Sequence, residues 1–143
     1  MKALSLDQPW ASAIAAGLKR IETRGKRISH RGPIAIHGTL RADLEIRSAF
    51  EIRQDEAVRA AFAAIGITNF EDLPFGAVVA TAELVDCVPS EELRKTITSA
   101  EAIWGNYGPK RYGYVLANIV RLERPVQCRG YQYLWDWEEA VAL

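Results

Sequence analysis

The chain has 143 residues, 49% of them hydrophobic and 25% charged, which fits one folded domain spanning 1–143 and excludes a disordered chain. Eighteen Lys plus Arg balance 18 Asp plus Glu, so no global field draws the protein to a polyanion and any such site must be local. Apolar runs such as Ala77–Ala82 fall well short of the roughly 18–20 residues a bilayer span requires, and Met1-Lys2 leads straight into structured sequence without a secretory leader, so a cytoplasmic chain with no membrane association is expected.

Lys2–Leu6 reads as a short strand, and Asp7 or Gln8 can cap a following helix whose first turn tolerates Pro9. Trp10, Ile14 and Leu18 are four apart and share one helix face, which Gly17 ends. Ile21–Arg24 reads as strand, and Gly32–His37 as a buried strand with Ile34 and Ile36 on one side. Leu40–Ile52 and Asp55–Ile65 carry apolar residues at helical spacing, with Leu40, Leu44, Val58, Phe62 and Ile65 expected inward and Gly66 as the stop. The Arg41–Arg59 charge run then falls on a solvated face. Gly76–Val88 is the strongest strand signal, Pro89–Pro109 suits one or two short helices, and Tyr112–Leu122 is a second long strand. A short strand Val126–Arg129 and an aromatic tail with Tyr131, Tyr133, Trp135 and Trp137 close the chain.

Strands at both ends and in the middle, without regular strand–helix alternation, argue against a doubly wound parallel sheet. They predict an α+β fold: a small, mostly antiparallel β-barrel or curled sheet decorated by helices. Cys87 and Cys128 are too few for a disulfide scaffold, and with His30 and His37 they lack metal-ligand spacing, so neither a metal nor a cofactor is expected.

The residues most suggestive of chemistry lie in Gly17-Leu18-Lys19-Arg20-Ile21-Glu22-Thr23-Arg24. Glu22 and Arg24, two apart on a strand, share a face, and Lys19 sits in the preceding turn. Such a cluster can hold a phosphate on Arg24 and Lys19 while Glu22 accepts a hydrogen bond from a base or ribose; it can equally be a structural ion-pair network.

The pattern G-x-K-x-x-E-x-R formed by Gly17, Lys19, Glu22 and Arg24 resembles the signature of the ASCH domain, named for activating signal cointegrator homology. The framing is similar too: Ser5-Leu6-Asp7-Gln8-Pro9-Trp10-Ala11 before it, Arg31–His37 and Leu73–Ala80 after it, then Arg111-Tyr112-Gly113-Tyr114 and Arg129-Gly130. Asp7 stands where the resemblance leads one to expect Trp, which makes one wall of the expected pocket more polar. The resemblance implies a PUA-like barrel, a cleft holding the motif, and a role in binding RNA, DNA or nucleotides. It also implies two enzymatic branches, a ribonuclease and an amidohydrolase that deacetylates N4-acetylcytidine through a Lys, a Thr and a distant Glu. Lys19 matches that Lys, but Glu22 occupies the Thr position, Thr23 is shifted by one onto the other strand face, and Glu91, Glu92 and Glu101 are equal candidates for the distant Glu.

The expected catalytic pair is therefore Lys19 as a base and Glu22 as the group that activates water or a ribose hydroxyl. Expected ligand contacts are Gln8, Trp10, Arg24, His37, Arg111, Tyr112 and Arg129, with Trp10, Tyr112 and the Arg129–Trp135 segment offering stacking surfaces. Core packing is the alternative for Trp10, Trp135 and Trp137, a satisfied barrel-edge histidine for His37, and a solvated loop for His30. The expected partner is RNA or a nucleotide or nucleoside; the alternative from another class is a protein-interaction module without catalysis.

Overall fold

The computed structural model describes residues 1–138, so the end of the expected 1–143 domain, residues 139–143, lies outside it. Strand β1 (Lys2–Leu6) runs into helix α1 (Trp10–Ala15), whose start is capped by Gln8: its Oε1 accepts from the Ser12 N–H at 2.9 Å, and the residue is fully buried. Gly17, at φ +80°, turns the chain out of the helix in the left-handed conformation that a side chain would disfavour. Strands β2 (Ile21–Arg24), β3 (Gly32–Gly38) and β4 (Ala77–Pro89) follow, then β5 (Tyr112–Gln127) and β6 (Leu134–Asp136).

The sheet order is β2-β5-β4-β3-β1-β6, antiparallel throughout except for the parallel β1–β3 pair. Three register shifts between β4 and β5 insert unpaired residues, and bulges of this kind bend and twist strands. The sheet consequently curls into a half-barrel with β2 and β6 as its edges among the described residues, and the Arg24 Nη2 of β2 reaches across the mouth to donate to the Ser5 carbonyl of β1 at 2.8 Å. This agrees with the expected PUA-like α+β architecture.

Two element expectations are corrected. The segment read as strand Tyr112–Leu122 and a separate Val126–Arg129 is one strand running through Pro125; β2 pairs only with Tyr112–Val115, so Pro125 faces an unpaired edge where its missing N–H leaves no gap in the ladder. The helix expected over Leu40–Ile52 starts at Leu44 as α2 (Leu44–Glu51), because Asp43 caps it by accepting from the Ile46 N–H. That phase turns Ile46, Ala49 and Phe50 inward and leaves Leu40 and Leu44 at 77% and 80% exposure. Helix α3 (Glu56–Ala63), capped by Asp55, buries Val58 and Phe62 as expected. Two four-residue helices, α4 (Ser90–Leu93) and α5 (Ser99–Ala102), lie between β4 and β5.

Alternation along the strands sorts the core. Leu4, Leu6, Ile34, Ile36, Ala80, Ala82, Leu84, Tyr114 and Leu116 pack with Ala11 and Ile14 of α1, while Ala3, Ala35 and Val78 point the other way and are covered by Trp135 and Trp137. A third cluster joins α1 to α2 and α3 through Ala13, Ile46, Phe50, Phe62 and Trp104. Trp104 thereby anchors the α5–β5 connection directly behind the turn that carries Lys19. Among the described residues no helix is long and apolar enough to cross a membrane.

Candidate functional site

Lys19 is fully buried, and its Nζ donates to the carbonyls of Ile21 at 2.6 Å and Trp104 at 2.7 Å and meets Glu22 Oε1 at 3.3 Å. Three acceptors match the three N–H bonds of an ammonium, whereas a neutral amine would leave one acceptor facing a lone pair. Burial pushes the amine below the ordinary lysine range, and the Glu22 carboxylate opposes that shift. Glu22, 8% exposed, presents its other oxygen to Arg24 Nε at 2.7 Å. A relay thus runs from the interior outward: Lys19, Glu22, Arg24. Among the described residues the Arg24 Nη1 has no hydrogen-bond partner, and the side chain is 31% exposed.

The relay opens on a cleft of about 480 Å³ lined by Ser5, Asp7, Trp10, Glu22, Arg24, Arg53, Trp104 and Asn106, among others. Its roof is a cation between two indoles: the Arg53 guanidinium lies 5.3 Å from the Trp10 ring and 5.7 Å from the Trp104 ring. Arg53 is fixed there by donating to the carbonyls of Ile103 and Ala49. Asp7 supplies the polar wall, held by the Thr39 hydroxyl at 2.6 Å and Arg41 at 3.2 Å. Glu22 and Arg24 are paired as in a structural network, yet both remain on an open cleft.

A second pocket, about 1000 Å³, lies across Ser5 and Arg24, which line both. Its floor holds His37, whose Nε2 lies 2.9 Å from the Cys128 carbonyl; a carbonyl can only accept, so Nε2 carries the proton and Nδ1 accepts from the Ser5 hydroxyl at 3.0 Å. Burial pushes His37 below its ordinary range and the Cys128 carbonyl partly offsets this. Trp135 Nε1 donates to the same Ser5 oxygen. Arg129, Tyr131 and Tyr133 form the rim.

The structure therefore distributes the expected residues. Trp10, Glu22 and Arg24 line the cleft; Arg24, His37 and Arg129 line the second pocket. Lys19 lies behind the cleft wall, and Gln8 is buried as a helix cap. Arg111 straps the Asn106 carbonyl to that of Thr23, and Tyr112 pairs with Arg24 across the β2–β5 ladder. Of the three candidate glutamates, Glu101 comes nearest the motif: its carboxylate accepts from the Arg20 and Ile21 N–H groups and acts electrostatically on Lys19. Glu91 instead accepts from the Lys110 N–H and Glu92 meets Lys95, and none of the three lines the cleft. Thr23, expected on the opposite strand face, also borders the cleft, with its Oγ1 accepting from the Asn106 N–H. Arg53, Trp104 and Asn106 were not singled out in the sequence; a lone Trp in the polar Pro89–Pro109 stretch was the one available signal.

A curled, mostly antiparallel sheet with a charged motif on its edge strand and a cleft beneath flanking helices defines a PUA-like domain. The ASCH domain profile matches residues 4–126, and the chain belongs to the ASCH family, a PUA-like family generally linked to RNA binding. It is 28% identical over 92 residues to activating signal cointegrator 1 of Homo sapiens and, equally, to that of Mus musculus, a stretch covering 64% of this chain but 15% of those proteins. The chain thus spans a small part of these relatives. The crystal structure of ASCH from Zymomonas mobilis superposes with a TM-score of 0.50 at 20% identity, covering 88% of this chain and 72% of that one, and a point mutant of it gives 0.50 at 17% identity with 74% covered. Similarity at this level speaks to the fold alone.

Proposed function

We propose that this domain binds RNA or a nucleotide in the cleft, with Arg24 on a phosphate, Glu22 accepting from a base N–H or ribose hydroxyl, and Trp10 offering its face to a base. The observation that carries this reading is the Glu22–Arg24 pair, braced from behind by a fully buried Lys19 and open on a 480 Å³ cleft under the Trp10–Arg53–Trp104 roof. A guanidinium held by two partners and still carrying free N–H bonds is preorganised for an anion, so little side-chain freedom is lost on binding. The balanced net charge favours a footprint of one or a few nucleotides over a long duplex. The test is a titration of nucleosides, mononucleotides and short RNAs at two salt concentrations. Binding that weakens in Arg24→Gln is expected; folded protein that binds none of them at low salt refutes the reading.

Hydrolysis of RNA or of an acylated cytidine is the second reading, favoured by one observation: a buried amine below its ordinary range touches the carboxylate that faces the cleft. In that reading Glu22 meets the substrate and Lys19 acts through it. Lys19→Ala and Glu22→Gln then each slow cleavage by about 100-fold or more, while Arg24→Gln mainly weakens binding. Wild type that turns over neither substrate, or Lys19→Ala at full rate, ends it.

A further inference from the structure

The two pockets adjoin, because Ser5 and Arg24 line both and meet each other through the Arg24 Nη2 bond to the Ser5 carbonyl. Their chemistry differs. The first cleft sets Asp7 and Glu22 against Arg24 and Arg53, whereas among the described residues no carboxylate lines the second, which carries Arg24 and Arg129. On its rim stand two exposed rings, Tyr131 at 54% and Tyr133 at 71%, each with a cation against it: Arg129 lies 5.3 Å from the Tyr131 ring and Lys26 5.4 Å from the Tyr133 ring. Tyr133 also has a φ of +60°, a left-handed conformation unfavourable for a bulky side chain, so this ring is presented at a conformational cost. Gly130 lets the segment lie against the pocket floor, since a Cβ there would clash with His37 Cε1 and sit 2.7 Å from Ser5 Oγ.

We infer that the second pocket is a subsite for the neighbouring nucleotides of a single-stranded RNA whose anchoring nucleotide occupies the cleft. The linking phosphate lies on Arg24, the next phosphate on Arg129, and bases stack on Tyr131 and Tyr133. This rests on the reading proposed above. An exposed ring beside a guanidinium or ammonium offers what a base and its phosphate require together, and every base has a face to stack. A duplex hides those faces, which selects a single strand. At about 1000 Å³, twice the first cleft, the pocket lies at the upper end of the roughly 300–1,000 Å³ that one small-molecule ligand fills, which suits more than one chain unit.

The experiment compares a mononucleotide, a dinucleotide and a pentaribonucleotide of one base by titration on the full chain. Wild type is expected to bind the pentamer at least about 10-fold tighter than the monomer. Tyr131→Ala and Tyr133→Gly are expected to lose roughly 5- to 100-fold of pentamer affinity with monomer binding unchanged. Glycine at 133 removes the ring while relieving the left-handed backbone, so the fold is not at risk. Arg129→Ala is expected to flatten the slope of log affinity against log salt by about 0.7. Equal binding of monomer and pentamer, with both tyrosine variants at wild-type affinity, overturns the subsite and leaves the cleft reading standing. Loss of monomer binding in Tyr133→Gly also overturns it, because the ring would then be propping the cleft; binding of no ligand overturns both.

Discussion

Lys19→Met separates the strut from the binding surface. The substitution keeps the unbranched apolar stem but removes the terminal ammonium and its three N–H bonds, leaving the carbonyls of Ile21 and Trp104 and one oxygen of Glu22 without their partner in a site where Lys19 is 0% and Glu22 8% exposed. Breaking a buried pair from one side costs about 3–5 kcal/mol, a large part of the ~5–15 kcal/mol by which a domain is stable. Arg24→Ala breaks two bonds on a side chain that is 31% exposed, and Glu22 keeps Lys19, so water offsets much of the loss and about 1–2 kcal/mol is expected. At ~3 °C per kcal/mol for a chain of this size, the melting temperature falls by roughly 10–15 °C for Lys19→Met and ~3–6 °C for Arg24→Ala. Urea unfolding with thermal melts checks this. Adding Glu22→Gln to Lys19→Met should cost less than the sum of the two alone, by on the order of 1–3 kcal/mol, because the first change has already stranded the carboxylate. A Lys19→Met protein within 1 kcal/mol of wild type, or Arg24→Ala as the more damaging change, refutes the strut.

Three further outcomes follow from particular contacts. Burial holds the folded His37 below its ordinary value of 6.5, so the unfolded chain binds more protons just under that pH; stability is complete above about pH 6.5 and falls as pH drops through the window beneath it, by at most ~1.4 kcal/mol per unit. Urea midpoints at pH 7 and 5.5 should converge in His37→Gln, and an unchanged difference would argue against the neutral Ser5–His37–Cys128 chain. Gly130→Ala should cost about 1–3 kcal/mol through overpacking, read by chemical denaturation, since the new Cβ would clash with His37 Cε1. Leu44→Lys should change stability by no more than ~0.5 kcal/mol while Phe62→Ala costs about 3–5, and the reverse order in thermal melts would overturn the phase assigned to the helices.

What the sequence disclosed depended on the range of the interaction. Gly17, Ile34, Ile36 and the Glu22–Arg24 face follow from local backbone periods, and all four lie as those periods require. The helix phase at Leu44 was missed because Leu40 and Leu44 fit a four-residue period as well as Ile46 and Phe50 do, and only the Asp43 cap decides between them. The continuity of β5 through Pro125 was hidden because proline is tolerated there as a residue that pairs with neither the short β2 nor, within a register shift, β4, a tertiary fact. The same applies to the cleft: Arg53 comes from a charge run that periodicity assigns to solvent, and only the approach of Trp10 and Trp104 from other elements turns it into a roof.

Net charge concealed the second pocket for a related reason. The sum over the chain is zero, but the neutralisation is uneven. Arg41 meets Asp7, Asp43 and Glu45, and Arg47 meets Glu51 and Glu71, so these two arginines of the helical charge run are matched by nearby acids. Among the described residues Lys26 and Arg129 have no carboxylate partner and lie on aromatic rings instead. Cations already matched by acids release few counterions when a polyanion arrives, whereas unmatched ones release about one each. The salt dependence of RNA binding should therefore reside in Lys26, Arg53 and Arg129, which no carboxylate matches among the described residues, more than in Arg24, which Glu22 already pairs, and be almost insensitive to Arg41→Ala and Arg47→Ala. Equal loss of slope from the helical arginines would place the strand on the other side of the molecule.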